Sequence, residues 1–242
     1  MTDSADPTGS AIVVGASGGL GRALAEAIVA GGRFAEVHAM SRQGLAAPAG
    51  AIPSPLDLTD EASVAAAMAR PVAAPRLVIV ATGLLHGPGV SPEKALGALD
   101  PAAMARLFAV NTIGPALVAK HALPRFARAD RAVFAALSAR VGSLSDNRLG
   151  GWYGYRASKA ALNMLIATMA IELARARPQA LCVGLHPGTV DTGLSRPFQA
   201  GVPAERLFSP AVSAAHLLRV LDGLTPADSG GVFAWDGSKI PA

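Results

Sequence analysis

The chain has 242 residues, 51% hydrophobic and 16% charged, with a net charge of +4 and one cysteine, Cys182. This composition excludes a disordered polymer and an internal disulfide framework. Its scattered arginines and lysines argue against a nucleic-acid-binding surface. No uninterrupted apolar run reaches the ~18 residues that mark a membrane span, and Met1–Ser10 lacks the basic and apolar regions of a secretory signal. A protein of the cytoplasm, with no membrane partner, is the expectation.

Residues 1–9 read as a flexible tail. The first apolar burst, Ala11–Val14, is short, β-branched and followed by glycines, as in a buried strand. Gly19 to Ala30 places Leu20, Leu24 and Ile28 on one helical face, with Gly31-Gly32 as a stop. Strands are expected at 34–40 and, despite Pro53 and Pro55, at 51–56. Thr59 or Asp60 caps a helix to about Arg70. Leu77–Val80 is a fourth strand. Asp100 and Pro101 begin a long helix reaching about Phe126. A strand over 132–137 precedes a helical pattern over 152–177, ended by Pro178. A strand over 181–185, a helix over 210–221 and a strand over 232–235 complete the chain. This rhythm predicts an α/β, single-domain, Rossmann-like doubly wound parallel sheet with helices on both faces. The long loops 138–151 and 188–209 follow strands, where such sheets bind ligands.

The turn Gly15-Ala16-Ser17-Gly18-Gly19-Leu20-Gly21 joins the first strand to the first helix. Gly15 allows a sharp turn, Gly19 close approach of a pyrophosphate, and Gly21 close packing of helix on strand. The helix amino end then offers free N–H groups to phosphates. About twenty residues on, an NAD enzyme would carry an acid against the ribose 2′-hydroxyl. Here Ser41 holds that slot and Arg42 follows it. A guanidinium suits a 2′-phosphate, so NADP(H) is favoured over NAD(H). Tyr155 and Lys159 fall at i and i+4 on one helix face. A cation near a phenol lowers its pKa from ~10 and makes it a usable proton carrier.

Together, the glycine turn, the Y-x-x-x-K motif and the α/β rhythm resemble the short-chain dehydrogenase/reductase family over essentially the whole chain. Asp57-Leu58 is similar to its adenine-contacting pair, Asn111-Thr112-Ile113-Gly114 to its helix-four asparagine motif, and Pro187-Gly188-Thr189-Val190-Asp191-Thr192 to its turn at the nicotinamide. The runs Ser138–Ser143 and Gly151–Tyr155 resemble its C-factor-like and sniffer-like carbonyl-reductase branch. The resemblance implies an NADP(H)-dependent oxidoreductase acting on a small carbonyl or alcohol substrate. It implies that Tyr155 delivers the proton, that Lys159 lowers the phenol pKa and binds ribose, and that Asn111 holds a relaying water. Gly15, Ser17, Gly19, Leu20, Gly21, Ser41, Arg42, Asp57, Leu58, Ala81, Thr82, Gly83, Pro187, Gly188, Val190 and Thr192 would join Tyr155 and Lys159 around the cofactor. It also implies a homodimer or homotetramer built on helices 101–126 and 152–177.

Two departures stand out. Ala81-Thr82-Gly83 replaces the family's Asn-Ala-Gly. The usual Ser-Ser pair after strand five becomes Ser138-Ala139, which puts alanine at the carbonyl-polarising position. Ser138, Ser143 or no serine then fills that role, with Ser138 the first candidate. The five histidines show no metal-ligand spacing, and no zinc or serine-hydrolase motif occurs. A dinucleotide-binding regulatory or signalling protein with little turnover is the competing reading; a dehydratase or epimerase on the same fold is a third. Leu194, Pro197, Phe198, Val202, Leu207 and Phe208 are expected to form an apolar lid, with Leu84, Leu85 and Trp152 lining the pocket.

Overall fold

A computed structural model describes residues 7–44 and 47–242. Its strands are β1 (Ser10–Val14), β2 (Glu36–Ser41), β3 (Ile52–Pro55), β4 (Pro75–Val80), β5 (Val133–Leu137), β6 (Leu181–His186), the short β7 (Thr189–Val190) and β8 (Leu207–Phe208), and β9 (Val232–Ala234). Seven of them form one parallel sheet in the order β3-β2-β1-β4-β5-β6-β9. Pro53 and Pro55 are accommodated because β3 is an edge strand, where a missing N–H costs no ladder bond.

The helices are α1 (Gly19–Ala30), α2 (Glu61–Ala69), α3 (Pro101–Phe108), α4 (Gly114–Ala122), α5 (Tyr153–Ala176) and α6 (Pro210–Gly223). Successive strand residues face opposite ways, so β1 feeds two cores. Ala11 and Val13 pack with Leu24 and Ile28 of α1 and Leu217 and Leu221 of α6. Ile12 and Val14 pack with Val64 and Met68 of α2, Val118 of α4, and Leu162 and Ile166 of α5. That is why the strands read as continuous apolar runs rather than alternating ones. The caps act as expected: Asp60 accepts from Ala62 N–H at 2.9 Å, and Asp100 from Ala102 N–H at 2.8 Å.

Some expectations need correction. The continuous helix over 101–126 is divided: a π-helical turn, Ala109–Ile113, separates α3 from α4, and a 3₁₀ turn, Leu123–Arg125, follows. Such a turn inserts one residue per helical turn and re-aims the side chains on it, here Asn111. Phe34 precedes β2 and Trp235 follows β9. Loop 188–209 closes its own base by pairing β7 with β8, two residues each, too short for any periodic pattern. Of the expected tail, residues 1–6 lie outside the described residues. Thr8 is held: its N–H donates to Arg33 O at 3.3 Å, and Arg76 donates to its hydroxyl at 2.7 Å.

Pro101–Arg125 and Tyr153–Ala176 are each long and apolar enough, by length and composition, to cross a membrane. Counting uninterrupted apolar runs does not register them, because polar residues break each run. Part of each helix packs on the sheet, while Ile113, Met164 and Ile171 stay exposed. Tyr155, Ser158, Lys159, Leu162, Ile166, Ala170 and Leu173 form the buried stripe of α5 at three- and four-residue spacing.

Candidate active site

One cavity of about 1040 Å³ opens at the carboxyl ends of the strands, beside the point where the sheet order reverses between β1 and β4. Every residue expected at the cofactor borders it, from Gly15–Gly21 through Ser41-Arg42, Asp57-Leu58 and Ala81–Gly83 to Tyr155, Lys159 and the segment 187–192. Ser138 borders it too. Asn111 and Ser143 do not.

At the amino end of α1 the wall is main chain. Gly15 has φ +91°, open to glycine at little cost. A Cβ on Gly21 would lie 2.2 Å from Gly15 O, so any side chain there would push the helix off the turn. The α1 amino end has no capping side chain and no acid in its first turn. Its free N–H groups and positive helix end therefore face the cavity without an internal partner. Thr82 Oγ1 is buried without a hydrogen-bond partner.

Ser41 is buried, its Oγ accepting from Gly44 N–H at 3.3 Å, while Arg42 is exposed at the cavity rim. Among the described residues, the carboxylate bordering this cavity is Asp57. It accepts from Thr59 N–H at 2.9 Å and Thr59 hydroxyl at 2.7 Å. These bonds first, and the charge of Arg42 more weakly, hold its pKa below the usual range.

At the other end, Tyr155 is packed among Leu85, Val90, Leu107 and Ala139. Lys159 Nζ lies 5.8 Å from the Tyr155 ring centroid and donates to Leu137 O at 2.7 Å. Burial alone shifts both groups toward neutrality: the phenol is pushed up to about 12, and the ammonium down to about 7. Burial thus acts on Tyr155 against the lowering expected from Lys159. Desolvation, which disfavours the charged form of each group, is the cause of both shifts. His186, also at the cavity, is driven down to about 4 by burial and by Arg140, with Asp236 opposing.

Asn111 is buried between the segment after β4 and α5. Its Oδ1 accepts from Leu84 N–H at 2.8 Å, and its Nδ2 donates to Leu84 O at 2.8 Å and Ser158 Oγ at 3.1 Å. It clamps the segment after β4 to α5 and makes no direct bond to Lys159. Thr112 adds a bond to Ser158 O at 2.8 Å.

The serines are likewise engaged. Ser138 donates to Asn163 Oδ1 at 2.6 Å. Ser143 accepts from Asp146 N–H at 3.1 Å and donates to Ala242 O at 3.4 Å. Just past the end of β5, Ser138 turns its hydroxyl to Asn163 of α5, while Ala139 packs in one cluster with Tyr155.

The aromatic wall was partly foreseen. Trp152 sits edge-on to Tyr155 (centroids 6.2 Å) and to Phe198 (5.0 Å), and Phe198 meets His86 at 5.6 Å. His86 Nε2 lies 3.1 Å from both Gly193 O and Leu194 O, tying the lid to the segment after β4. Of the expected lid, Leu194 and Phe198 reach the cavity. Phe208 instead packs on Trp235 (4.6 Å) and His216 (5.3 Å). Arg106 lines the cavity unannounced by any motif, while Arg140 and Thr189, which fall inside quoted runs but were given no role, line it too.

Comparison with known proteins agrees with this geometry. A family model described as short chain dehydrogenase matches residues 10–202. The C-signal protein of Myxococcus xanthus is 41% identical over 160 residues, 65% of this chain and 90% of that protein. The 1-hydroxy-2-glutathionyl-2-methyl-3-butene dehydrogenase of a Rhodococcus species is 33% identical over 186 residues, 76% of this chain and 77% of that one. The crystal structure of NADPH-bound carbonyl reductase from chicken fatty liver superposes with a TM-score of 0.84 at 26% identity, covering 98% of this chain and 100% of that one. Since the family model runs unbroken from β1 into the lid and the fold agrees with a carbonyl reductase over nearly its full length, the chain belongs to the short-chain dehydrogenase/reductase family of oxidoreductases.

Proposed function

We propose that this protein is an NADP(H)-dependent carbonyl reductase, or the alcohol dehydrogenase of the reverse direction. The observation that carries this reading is that one cavity joins a dinucleotide-type glycine turn to a buried Tyr155–Lys159 pair. The residues fit the cofactor: free helix N–H groups, an unpartnered Thr82 hydroxyl, and Arg42 beside a slot without an acid. NADPH, when bound, supplies the hydride to the carbonyl carbon.

The chain's own residues manage the proton and the geometry. Burial keeps the proton on Tyr155 Oη, the form needed to donate to a substrate oxygen as the carbon–oxygen double bond is reduced. Lys159, held by Leu137 O, stands one helical turn away to receive the cofactor ribose and to stabilise the phenolate left after donation. Asn111 keeps the segment after β4 in register with α5. Trp152, Phe198, Leu85 and Leu194 exclude water and accept an apolar carbonyl compound. With Ala139 toward Tyr155 and the Ser138 and Ser143 hydroxyls bonded elsewhere, Tyr155 polarises the carbonyl without a serine's help. The exposed Met164 and Ile171 on the outer side of α5 fit a homodimer or homotetramer.

A second reading, a dinucleotide-binding signalling protein with little turnover, draws on Ala139 and on the similarity to C-signal. Turnover separates the two. With NADPH and a panel of ketones and aldehydes, the wild type is expected to oxidise NADPH, and Tyr155→Phe to lose ~10²–10⁴-fold in kcat while keeping its NADPH dissociation constant. No turnover by the wild type on any panel member, with Tyr155→Phe indistinguishable from it, would favour the signalling protein.

A further inference from the structure

Glu93 lies in the segment between β4 and α3, only 4% exposed. Among the described residues it forms no ion pair. Both carboxylate oxygens instead accept from a single donor, the N–H of Gly154, at 3.2 Å each. Gly154 is the second residue of α5, and Tyr155 is the third. The main chain of Glu93 adds a second tie: its carbonyl accepts from Trp152 N–H at 2.6 Å.

The fit is close. A Cβ on Gly154 would lie 2.8 Å from Glu93 Oε1 and 2.8 Å from Leu107 Cδ1. Trp152, at the amino cap of α5, has φ +53° and ψ +41°, and is alone in positive φ among the described non-glycine residues. A bulky side chain there is strained, and such strain persists only where neighbours impose it. Glu93 O, on the Trp152 N–H, is one of those neighbours.

Capping alone does not explain a carboxylate. Serine, threonine or asparagine would satisfy an amino-terminal N–H without burying a charge, and an unpaired buried charge is costly. What compensates Glu93 is the positive end of α5 itself. The elements packed around Tyr155 bring Lys159 and Arg156 of α5, Arg106 of α3, Arg140 after β5 with Asp146 paired to it, and Lys94 next to Glu93 in sequence; His186, on which Asp236 acts, borders the same cavity. Glu93 is the acid of this set that bonds the amino end of α5.

We propose that Glu93 is a positioning residue for Tyr155: its buried carboxylate fixes the first turn of α5 and offsets the positive end of that helix, so that the phenol keeps its proton until a substrate oxygen takes it. This rests on Tyr155 being the proton donor.

Glu93→Gln keeps a carbonyl oxygen for Gly154 N–H and removes the charge. The alkaline limb of kcat/KM for carbonyl reduction is expected to move down by about one pH unit, the size of a helix-end interaction, with Tm little changed. Glu93→Ala also loses the bond, so kcat should fall about tenfold through misplacement of the phenol. On the plateau below the alkaline limb, Glu93→Gln should recover most of that loss. A readout free of turnover uses the fact that the chain has two tyrosines. In a Tyr153→Phe background, the ¹³Cζ NMR shift reports the ionisation of Tyr155 alone, and its midpoint should be lower with Glu93→Gln than without it. Should no carbonyl be turned over, the proposed activity falls while this titration still decides the role of Glu93. Unchanged midpoints and superimposable pH profiles, with a lower Tm as the sole effect, would make Glu93 a structural cap and overturn the proposal.

Discussion

From Gly15 to Gly21 the cavity is walled by main chain, whereas around Tyr155 it is walled by side chains from four separate segments. At the first end, the free N–H groups of α1 and a helix packed against Gly15 O by the absence of a Gly21 side chain make a surface for phosphate. At the second, Ala139, Trp152, Phe198 and Leu85 meet over Tyr155 from the loop after β5, the start of α5, the lid and the segment after β4. A main-chain wall is specified by small residues at fixed spacing and tolerates little change. A side-chain wall can be rebuilt residue by residue, which is how one fold serves many substrates.

The contrast sharpens first at the rim of the main-chain end, where the two deciding side chains stand. Arg42 beside Ser41 is expected to make NADPH bind roughly 10- to 100-fold more tightly than NADH, the value of one charge-assisted bidentate contact. Ser41→Asp combined with Arg42→Ala should reverse that order, and equal dissociation constants for both cofactors in the wild type would remove the role given to Arg42. At the side-chain end, Ala139→Ser places a hydroxyl toward Tyr155 and should raise kcat for carbonyl reduction by about tenfold, a modest share of what an added oxyanion donor can supply. An unchanged rate would mean that a polarising donor is already present, and Ser138→Ala and Ser143→Ala would then show which serine supplies it.

The smallest expected effect is on stability. Between about pH 7 and 10.5 the unfolded chain holds the Lys159 proton and the folded chain does not. Stability from this group therefore rises with pH across that window, and below it the folded state carries a buried charge. Lys159→Met should abolish turnover yet raise Tm at pH 6 by roughly 2–4 °C, and it should flatten that rise. Tyr155 and Cys182, both pushed up to about 12 by burial, act in the opposite sense and lower stability above their unfolded values. A lower Tm for Lys159→Met at pH 6 would mean that the bond to Leu137 O outweighs desolvation.

The strand and helix rhythm, the glycine turn, the acid-free slot at Ser41 and the Tyr155–Lys159 pair were all legible in the sequence. Each depends on local spacing: apolar runs of strand length, glycine where a Cβ would collide, and i, i+4 on one helix face. The π turn at Ala109–Ile113 was not legible, because a single extra residue in a helix leaves no mark on apolar periodicity. Nor were the partners of Asn111, Ser138 and Ser143, since each bonds across 25 or more residues of chain or into a loop. Glu93 carried no motif at all; a lone glutamate reads as a solvated charge until burial and the Gly154 N–H are seen.

By itself, then, the sequence determined the parallel α/β sheet, the place of the dinucleotide turn and the helix that carries Tyr155, because backbone sterics and side-chain period act over a few residues. Only the tertiary structure decided that Ala139 rather than Ser138 faces the phenol, that burial drives Tyr155 and Lys159 toward neutrality, and that a distant carboxylate begins α5. Those outcomes depend on which segments meet in space and how much water they exclude, and desolvation is a property of the assembled site rather than of any short stretch of chain.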